Sequence, residues 1–471
     1  MQTNILNNDT ICAIATPHGM GAIAVVRVSG QEAISIVSQL FRHNDKPFIQ
    51  ENVVSHKAYY GHIVDNGNWL DEVLVTFFKA PHSFTGEDSA EISVHGSVFI
   101  QQKLLQVLIS HGCRMAEAGE FTRRAFVNRK FDLAQAEAIA DLISSESEAA
   151  HRVAISQLKG GFSKELQMMR SKLLEMTSLM ELELDFSEED VEFVDRSQLK
   201  SLLQETLSHV NKLKDSFRLG NAIKNGIPVA IVGQTNTGKS TLLNALLGED
   251  RAIVSDIAGT TRDTIEETLN INGILYRFID TAGLRNTDET IEKIGIERSY
   301  KKIAEANVVI GMLDATTGYE SMLSAANDIR LKVDLSNQQL ILCINKVDTL
   351  ADQGEALLGE LRLDLDNDDI MVICLSAKHG FGLNDLYNAL KYSQPLASPD
   401  STMVTNVRHY EALLHASDSL NQVQQGLEMN IPTDLVSQDL RQALYHLGSI
   451  TGEISTDEVL GSIFSRFCVG K

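Results

Sequence analysis

The chain runs to 471 residues, 43% of them apolar and only 7 of them proline, with a formal net charge of −22 at pH 7. A chain this long exceeds one ordinary hydrophobic core and implies about two to four domains, folded over most of their length. The acidic balance excludes broad electrostatic binding of nucleic acid by the whole surface, while leaving room for a local basic site or a partner that carries the nucleic acid.

The first region, to about residue 115, reads as strands joined by glycine-rich turns, with IAVVRV at 23–28, LVTFF at 74–78 and alternating AEISVH at 90–95. From about 120 the pattern lengthens into helices, beginning with AQAEAIADLI at 134–143. Leu166, Met169, Leu173, Met176 and Met180 then recur at spacings of three and four, and Leu203, Leu207, Val210 and Phe217 repeat that period. Between them ELELDFSEEDVEFVD at 181–195 carries eight carboxylates and no basic group. It is a solvated helix end or loop, or an interaction surface.

Between about 225 and 390 short apolar runs (PVAIVG, ILYRFID, NVVIGMLD, LILCIN, IMVICLS) alternate with helical segments, as in a sheet covered on both faces. After 400 the pattern returns to helices, with Val436, Leu440, Leu444 and Leu447 as a stripe and a last helical stretch near 457–467. This final segment is short for a core of its own. Either it packs against the 120–220 helices, which makes the α/β region an insertion in one helical domain, or it forms a small bundle. The former defines the expected fold: a multidomain α/β and α+β chain with bounds at 1–119, 120–224, 225–385 and 386–471.

Cys12, Cys113, Cys343, Cys374 and Cys468 are scattered, with no CxxC pair and no zinc spacing. A reducing compartment without a structural metal is expected. No signal-peptide pattern and no run of membrane-spanning length is present, so the chain is expected to be cytoplasmic, with no membrane partner. FCVGK closes the sequence, where chains are usually poorly ordered.

GQTNTGKS at 233–240 follows the strand PVAIVG and precedes TLLNALLG. At such a strand-to-helix junction backbone N–H groups surround a phosphate, a lysine reaches its terminal oxygens and a hydroxyl ligates magnesium. Asn236, Thr237, Gly238, Lys239, Ser240 and Thr241 are therefore candidate phosphate contacts, with Lys239 also catalytic and Ser240 on magnesium. DTAG at 280–283 ends a later strand. Asp280 suits the magnesium shell and Gly283 a close approach to the terminal phosphate, with Thr281 and Ala282 between them.

NKVD at 345–348 and SAK at 376–378 follow in order. The Asp348 carboxylate accepts both the ring N–H and the exocyclic amine of guanine, a pair that adenine does not offer. Ser376, Ala377 and Lys378 supply a backbone N–H to guanine O6, while Asn345 braces the phosphate loop beside Lys346. GTTRD at 259–263 lies where a mobile switch belongs, with Thr261 completing magnesium coordination when a γ-phosphate is present. Leu284 occupies the place where many GTPases carry a water-orienting glutamine, so another group must orient the water. Arg262 and Arg285 are nearby, and neither is established as an arginine finger. The nucleotide motifs also fit a regulatory GTP-dependent module, such as a ribosome-assembly GTPase.

NDTICAIATP at 8–17, GEFTRRAFVNRKFDLAQAEAIADLI at 119–143, DTAGLR at 280–285 and terminal FCVGK together resemble the MnmE (TrmE) family of tRNA modification GTPases, within the TrmE-Era-EngA-like superfamily. The likeness spans essentially the whole chain. It implies a β-rich N-terminal folate-binding and dimerisation domain, a discontinuous helical domain and an inserted Ras-like P-loop G domain. It further implies a homodimer that works with MnmG (GidA), which uses FAD and NADH. Together they build an aminomethyl or carboxymethylaminomethyl group at C5 of the tRNA wobble uridine, from a tetrahydrofolate one-carbon unit.

By the same resemblance Asn236 ligates potassium with Ser255, Ile257 and Thr260, within a loop that includes Asp256, Ala258 and Gly259. Glu292 matches the carboxylate that positions catalytic water. Arg27, Glu91, Lys130 and Lys471 match folate-contacting positions, and Cys468 matches a terminal cysteine that is either a nucleophile or a structural aid. Two departures stand out: Met20 replaces a common arginine and removes a charge, and Ser255 replaces a common threonine but keeps the hydroxyl.

Overall fold

The computed structural model describes residues 9–185, 196–248, 267–279, 303–365, 367, 369–392, 402–429, 431–455, 457–465, 467 and 470. Thr261, Glu292, the 255–260 loop, the DTAG residues, the 186–195 part of the acidic run, Cys468 and Lys471 lie outside that set. Chain contacts divide the protein into two compact units: 1–140 with 157–195 and 426–471, and 141–156 with 196–425.

The first unit is built on an eight-stranded sheet. Its strands are β1 (Ile11–Ile14), β2 (Ile23–Ser29), β3 (Phe41–His43), β4 (Lys46–Pro47), β5 (Lys57–Asp65), β6 (Asn68–Phe78), β7 (Ser89–His95) and β8 (Arg114–Met115), in the spatial order β4-β3-β5-β6-β7-β2-β1-β8. Neighbours are antiparallel, except that β8 runs parallel to β1. The alternation read at 90–95 is real: Ala90, Ile92 and Val94 point into a core, and Glu91 and Ser93 point away.

That core is completed by two helices, α1 (Ala33–Leu40) and α2 (Val98–Ser110), which the strand reading of this region did not foresee. The first is short, and buries six of its eight residues; the second runs to 13 residues and buries Gln101, Leu104, Val107 and Leu108 on one side. In an eight-residue run with β-branched Ile34, Ile36 and Val37 the 3.6-residue period completes only about two turns, so periodicity does not separate it from a buried strand. On the opposite face a small cluster of Ile11, Ala13, Ala116 and Phe121 packs with Phe84.

The helices α3 (Glu120–Val127), α4 (Leu133–Ile143), α5 (Glu148–Leu158) and α6 (Gly161–Asp185) follow. The predicted stripe on α6 is buried throughout, from Leu166 to Met180. Each such side chain contributes about 2 kcal/mol by leaving water. Its partner in the same unit is α13 (Thr433–Thr451), where Val436, Leu440, Leu444 and Leu447 are buried. Segments about 250 residues apart thus share one helical core, which fits the discontinuous helical domain rather than a separate bundle. Helix α14 (Asp457–Phe464) adds Leu460 and Phe464 to a cluster with Leu133, Ala136 and Phe467.

The second unit holds α7 (Arg196–Asn225), then a six-stranded sheet of β9 (Ile227–Gly233), β10 (Glu267–Ile271), β11 (Ile274–Phe278), β12 (Val308–Asp314), β13 (Gln339–Asn345) and β14 (Ile370–Cys374), ordered β10-β11-β9-β12-β13-β14. All pairs are parallel except β10–β11. Helices α8 (Lys239–Leu247) and α11 (Leu383–Tyr392) cover one face, and α9 (Tyr319–Arg330) and α10 (Glu355–Leu365) cover the other. Both faces being dry, the strands read as continuous apolar runs rather than alternating ones. Helix α12 (Val407–Glu428) packs its Tyr410 on Phe217 of α7, ring centroids 4.5 Å apart.

Candidate functional site

The phosphate loop joins the carboxyl end of β9 to the amino end of α8. Gly233 and Gly238 both sit at positive φ, 149° and 97°. A Cβ on Gly233 would meet the Met312 carbonyl oxygen at 2.5 Å, and one on Gly238 would meet Asn345 Nδ2 at 2.2 Å. Only glycine satisfies both the conformation and the space. Lys239 Nζ donates to the carbonyl oxygens of Gly233 and Gln234 at 3.0 and 2.6 Å, so the ammonium is held on the loop that is to receive a phosphate. Ser240 follows in the first turn, and Asn236 is exposed at φ 62°. A half-buried hydroxyl beside a phosphate loop suits magnesium, and an exposed amide oxygen suits a hard monovalent cation.

The residues expected from sequence to read the base gather at the carboxyl ends of β13 and β14. Asn345, 3% exposed, donates from Nδ2 to the Thr237 carbonyl at 2.8 Å and accepts the Ala377 N–H on Oδ1 at 3.0 Å. The brace inferred from sequence is therefore two-sided. Ser376 donates its hydroxyl to Asp348 Oδ1 at 2.6 Å. That bond holds the Asp348 carboxyl below the usual carboxylate range, with smaller help from His379 and Lys378. A carboxylate kept ionised and half satisfied is ready to accept two N–H groups from a base.

Two neighbours were not legible beforehand. Asp314, at the end of β12, receives Lys346 Nζ on Oδ2 at 2.5 Å. His379 Nε2 lies 3.6 Å from Asp348 Oδ2. A cavity of about 490 Å³ beside edge strand β14, lined in part by Arg362, Val372 and Asp385, contains none of these groups. There Arg362 closes the strand edge by donating to the Val372 carbonyl at 3.0 Å.

In the first unit the structure joins two residues that the resemblance implicates separately. Arg27 and Glu91 are direct partners across β2 and β7, and their side chains pair at 2.9 Å. The Arg27 guanidinium also lies over the rings of Phe84 and Phe121, with centroid distances of 4.9 and 5.6 Å. Phe84 touches Phe131, next to Lys130, whose Nζ donates to the Pro81 carbonyl at 2.8 Å. Phe121 is fully buried, so Phe84, partly buried beside the paired donor and acceptor groups, is the ring that would meet a flat heteroaromatic ligand such as a pterin.

A denser ionic cluster lies in the same unit. Arg124 donates to Asp9, Glu87 and Glu120, and Arg114 donates to Asp9 and Glu120. Asp9 to Arg124 spans 115 positions, so no local pattern announces the cluster. The tail is tied to the same unit. A Cβ on Gly470, at φ 100°, would lie 2.1 Å from the Ile14 carbonyl oxygen, and Phe467 is buried against Phe464.

The profile described as GTP-binding protein TrmE N-terminus matches residues 10–130, and that of the MnmE helical domain matches residues 133–468. The chain is 51% identical to the tRNA modification GTPase MnmE of Flavobacterium johnsoniae over 99% of this chain and 100% of that one. It belongs to the MnmE family. The MnmE of Bacteroides fragilis is 50% identical, again over 99% of this chain and 100% of its own length. Among solved structures, Aquifex aeolicus Era bound to GDP and aluminium fluoride matches 41% of this chain and 66% of its own, at 30% identity and a TM-score of 0.28.

Proposed function

We infer that this chain, as a member of the MnmE family, hydrolyses GTP in the modification of the tRNA wobble uridine. The observation that carries the nucleotide assignment is Asn345, which binds the phosphate loop with one end of its amide and the guanine-recognition turn with the other. Lys239 exchanges the Gly233 and Gln234 carbonyls for the terminal phosphate, while Asp348 reads the base edge. Ser240 would hold magnesium and Asn236 potassium, and these cations when bound offset charge on the phosphate oxygens. Thr261 and Asp280 keep their proposed places on magnesium from the motifs that hold them, and Ser255, Ile257 and Thr260 on potassium keep theirs by resemblance, as does Glu292 in orienting water.

The wider reaction needs a partner. The FAD- and NADH-using MnmG supplies the redox chemistry, and a tetrahydrofolate derivative, when bound, supplies the one-carbon unit for the C5 substituent. Arg27, Glu91, Lys130 and Lys471 are its proposed contacts in a homodimer, with Cys468 nearby as nucleophile or structural aid. The proposed bounds are 1–119 for the folate domain, 225–385 for the G domain, and 120–224 with 386–471 for the helical domain. Among the described residues no helix is long and apolar enough to cross a membrane, and a cytoplasmic location is proposed.

Two measurements test this function. The purified chain should release phosphate from GTP faster in potassium than in sodium. Deletion of the gene should remove a C5-modified wobble uridine from bulk tRNA, and unchanged nucleosides would refute the tRNA assignment.

A further inference from the structure

We propose that Asp314 is a positioning residue of the guanine site, acting through Lys346. The proposal rests on the GTPase reading above and adds to it a residue outside the recognised motifs.

Lys346 stands in the chain between Asn345, which braces the phosphate loop, and Asp348, which reads the base. Its backbone is left-handed, at φ 66°. A lysine rarely adopts this conformation, and such a residue persists where its surroundings over-determine it. Here the turn that follows, Val347–Thr349, begins at Lys346. The left-handed residue breaks the extended course of β13 at its last residue and lets the side chain run to the end of the neighbouring strand. Asp314 is there because β12 and β13 are in parallel register, with Asp314 directly beside Asn345.

The acceptor is itself immobilised. Asp314 Oδ1 accepts from the Thr316 N–H at 3.0 Å and from the Thr316 hydroxyl at 2.7 Å, which leaves Oδ2 for the lysine at 2.5 Å. Thr317 ties the same turn by donating its hydroxyl to the Asp314 carbonyl at 2.9 Å. The Asp314 side chain is only 10% exposed, whereas that of Lys346 is 36% exposed. Partial burial pushes the Asp314 carboxyl up, but the Lys346 and Thr316 bonds outweigh that and hold it below the usual range.

A lysine ammonium on a four-carbon stem is otherwise among the most mobile side chains. Fixing its far end sets the path of the stem before any nucleotide arrives. A purine that presents its edge to Asp348 then meets an apolar stem already in place, and less ordering remains to be done on binding. Asp314 touches neither base nor phosphate in this scheme. Its contribution is preorganisation of Lys346.

The test uses the full-length chain and a fluorescent GDP analogue, with release measured by stopped flow and GTP hydrolysis measured alongside. Asp314→Asn keeps an acceptor for Thr316 but removes the charge that holds the lysine. Lys346→Met keeps most of the stem and removes the ammonium. Each should speed GDP release about tenfold, and the double variant should be no faster than the faster single one, because both changes remove the same interaction. The Asp314→Asn loss should appear in KM for GTP rather than in kcat, and Asp314→Glu should recover part of it. Effects that multiply in the double variant would overturn the proposal, as would native release from either single variant. Lys346→Met alters a partly exposed side chain and remains decisive should Asp314→Asn not fold. A native chain that binds no GDP analogue would instead defeat the nucleotide reading itself.

Discussion

Asn345 joins Thr237 of the phosphate loop to Ala377 of the base-recognition turn through the two ends of one buried amide. The phosphate loop and the turn proposed to read the base are thereby held at a fixed spacing by a residue that need touch neither end of a nucleotide. The Cβ-less Gly238 is what lets Asn345 approach the loop so closely.

Replacing Asn345 by Ala would leave a buried carbonyl and a buried N–H without partners, at about 1–3 kcal/mol each. GDP affinity of the Asn345→Ala chain should fall by at least about tenfold, since 1.4 kcal/mol is a factor of ten. A fluorescence titration reads this directly. Native affinity in a folded Asn345→Ala chain would show that the brace does not set the spacing.

Asp348→Asn exchanges one acceptor oxygen for a donor, opposite two guanine N–H groups. A hydrogen bond to a charged group contributes about 1.5–3 kcal/mol, so GTP binding should weaken roughly 10- to 100-fold or more. Xanthosine triphosphate carries a carbonyl where guanine carries its amine, and it should lose less or gain. Competition between the two nucleotides measures the switch, and an unchanged GTP preference would remove Asp348 from base recognition.

The phosphate loop could be read from sequence because its chemistry is contiguous: one strand end, one glycine-rich turn and one helix start. The proposed guanine turn could be located because Asn345, Asp348 and Ser376 keep their order behind that loop, and the structure hydrogen-bonds Asn345 to Thr237 and Ala377, and Ser376 to Asp348. Asp314 was not, since only the parallel register of β12 and β13 brings it to Lys346, 32 positions away. Arg27 and Glu91 were each singled out by resemblance, yet their pairing needed β2 and β7 to be antiparallel neighbours. The amino-terminal helices α1 and α2 escaped for a different reason: α1 is only eight residues long, and α2 carries apolar residues such as Phe99 and Ile109 on its exposed side as well as on its buried one, which blurs its stripe.

The tail yields a third expectation. Gly470 has a φ that side chains rarely adopt, and its missing Cβ is what admits the backbone of Ile14. Ile14 pairs with Val26, the residue before Arg27, so the tail reaches the strand end next to the proposed folate contacts. Gly470→Ala should therefore weaken tail docking and expose the C-terminus to carboxypeptidase. Reduced-folate binding should fall with it, while GTP affinity stays native. Equal protease resistance in the two chains would show that the contact is dispensable.

Glu120 gives the pH dependence of the amino-terminal unit. Burial of its side chain, 1% exposed, pushes the carboxyl up, but bonds from Arg114, the Glu117 N–H and Arg124 outweigh burial and hold it below the ordinary value of 4.5. The folded state thus takes up this proton less readily than the unfolded chain. Its stabilisation is fully present above pH 4.5 and is lost as pH falls through the lowered folded value. Asp9 is also held low and adds in the same direction. Glu120→Gln, by leaving Arg114 and Arg124 short of a buried partner, should cost about 3 kcal/mol at neutral pH, and progressively less in acid. The single tryptophan, Trp69, stacks on His62 in this same sheet with centroids 3.9 Å apart, so its fluorescence can report denaturant unfolding of this unit alone. If the native and Glu120→Gln transitions differ equally at pH 7 and below pH 4, the loss is one of packing and not of the ionised carboxylate.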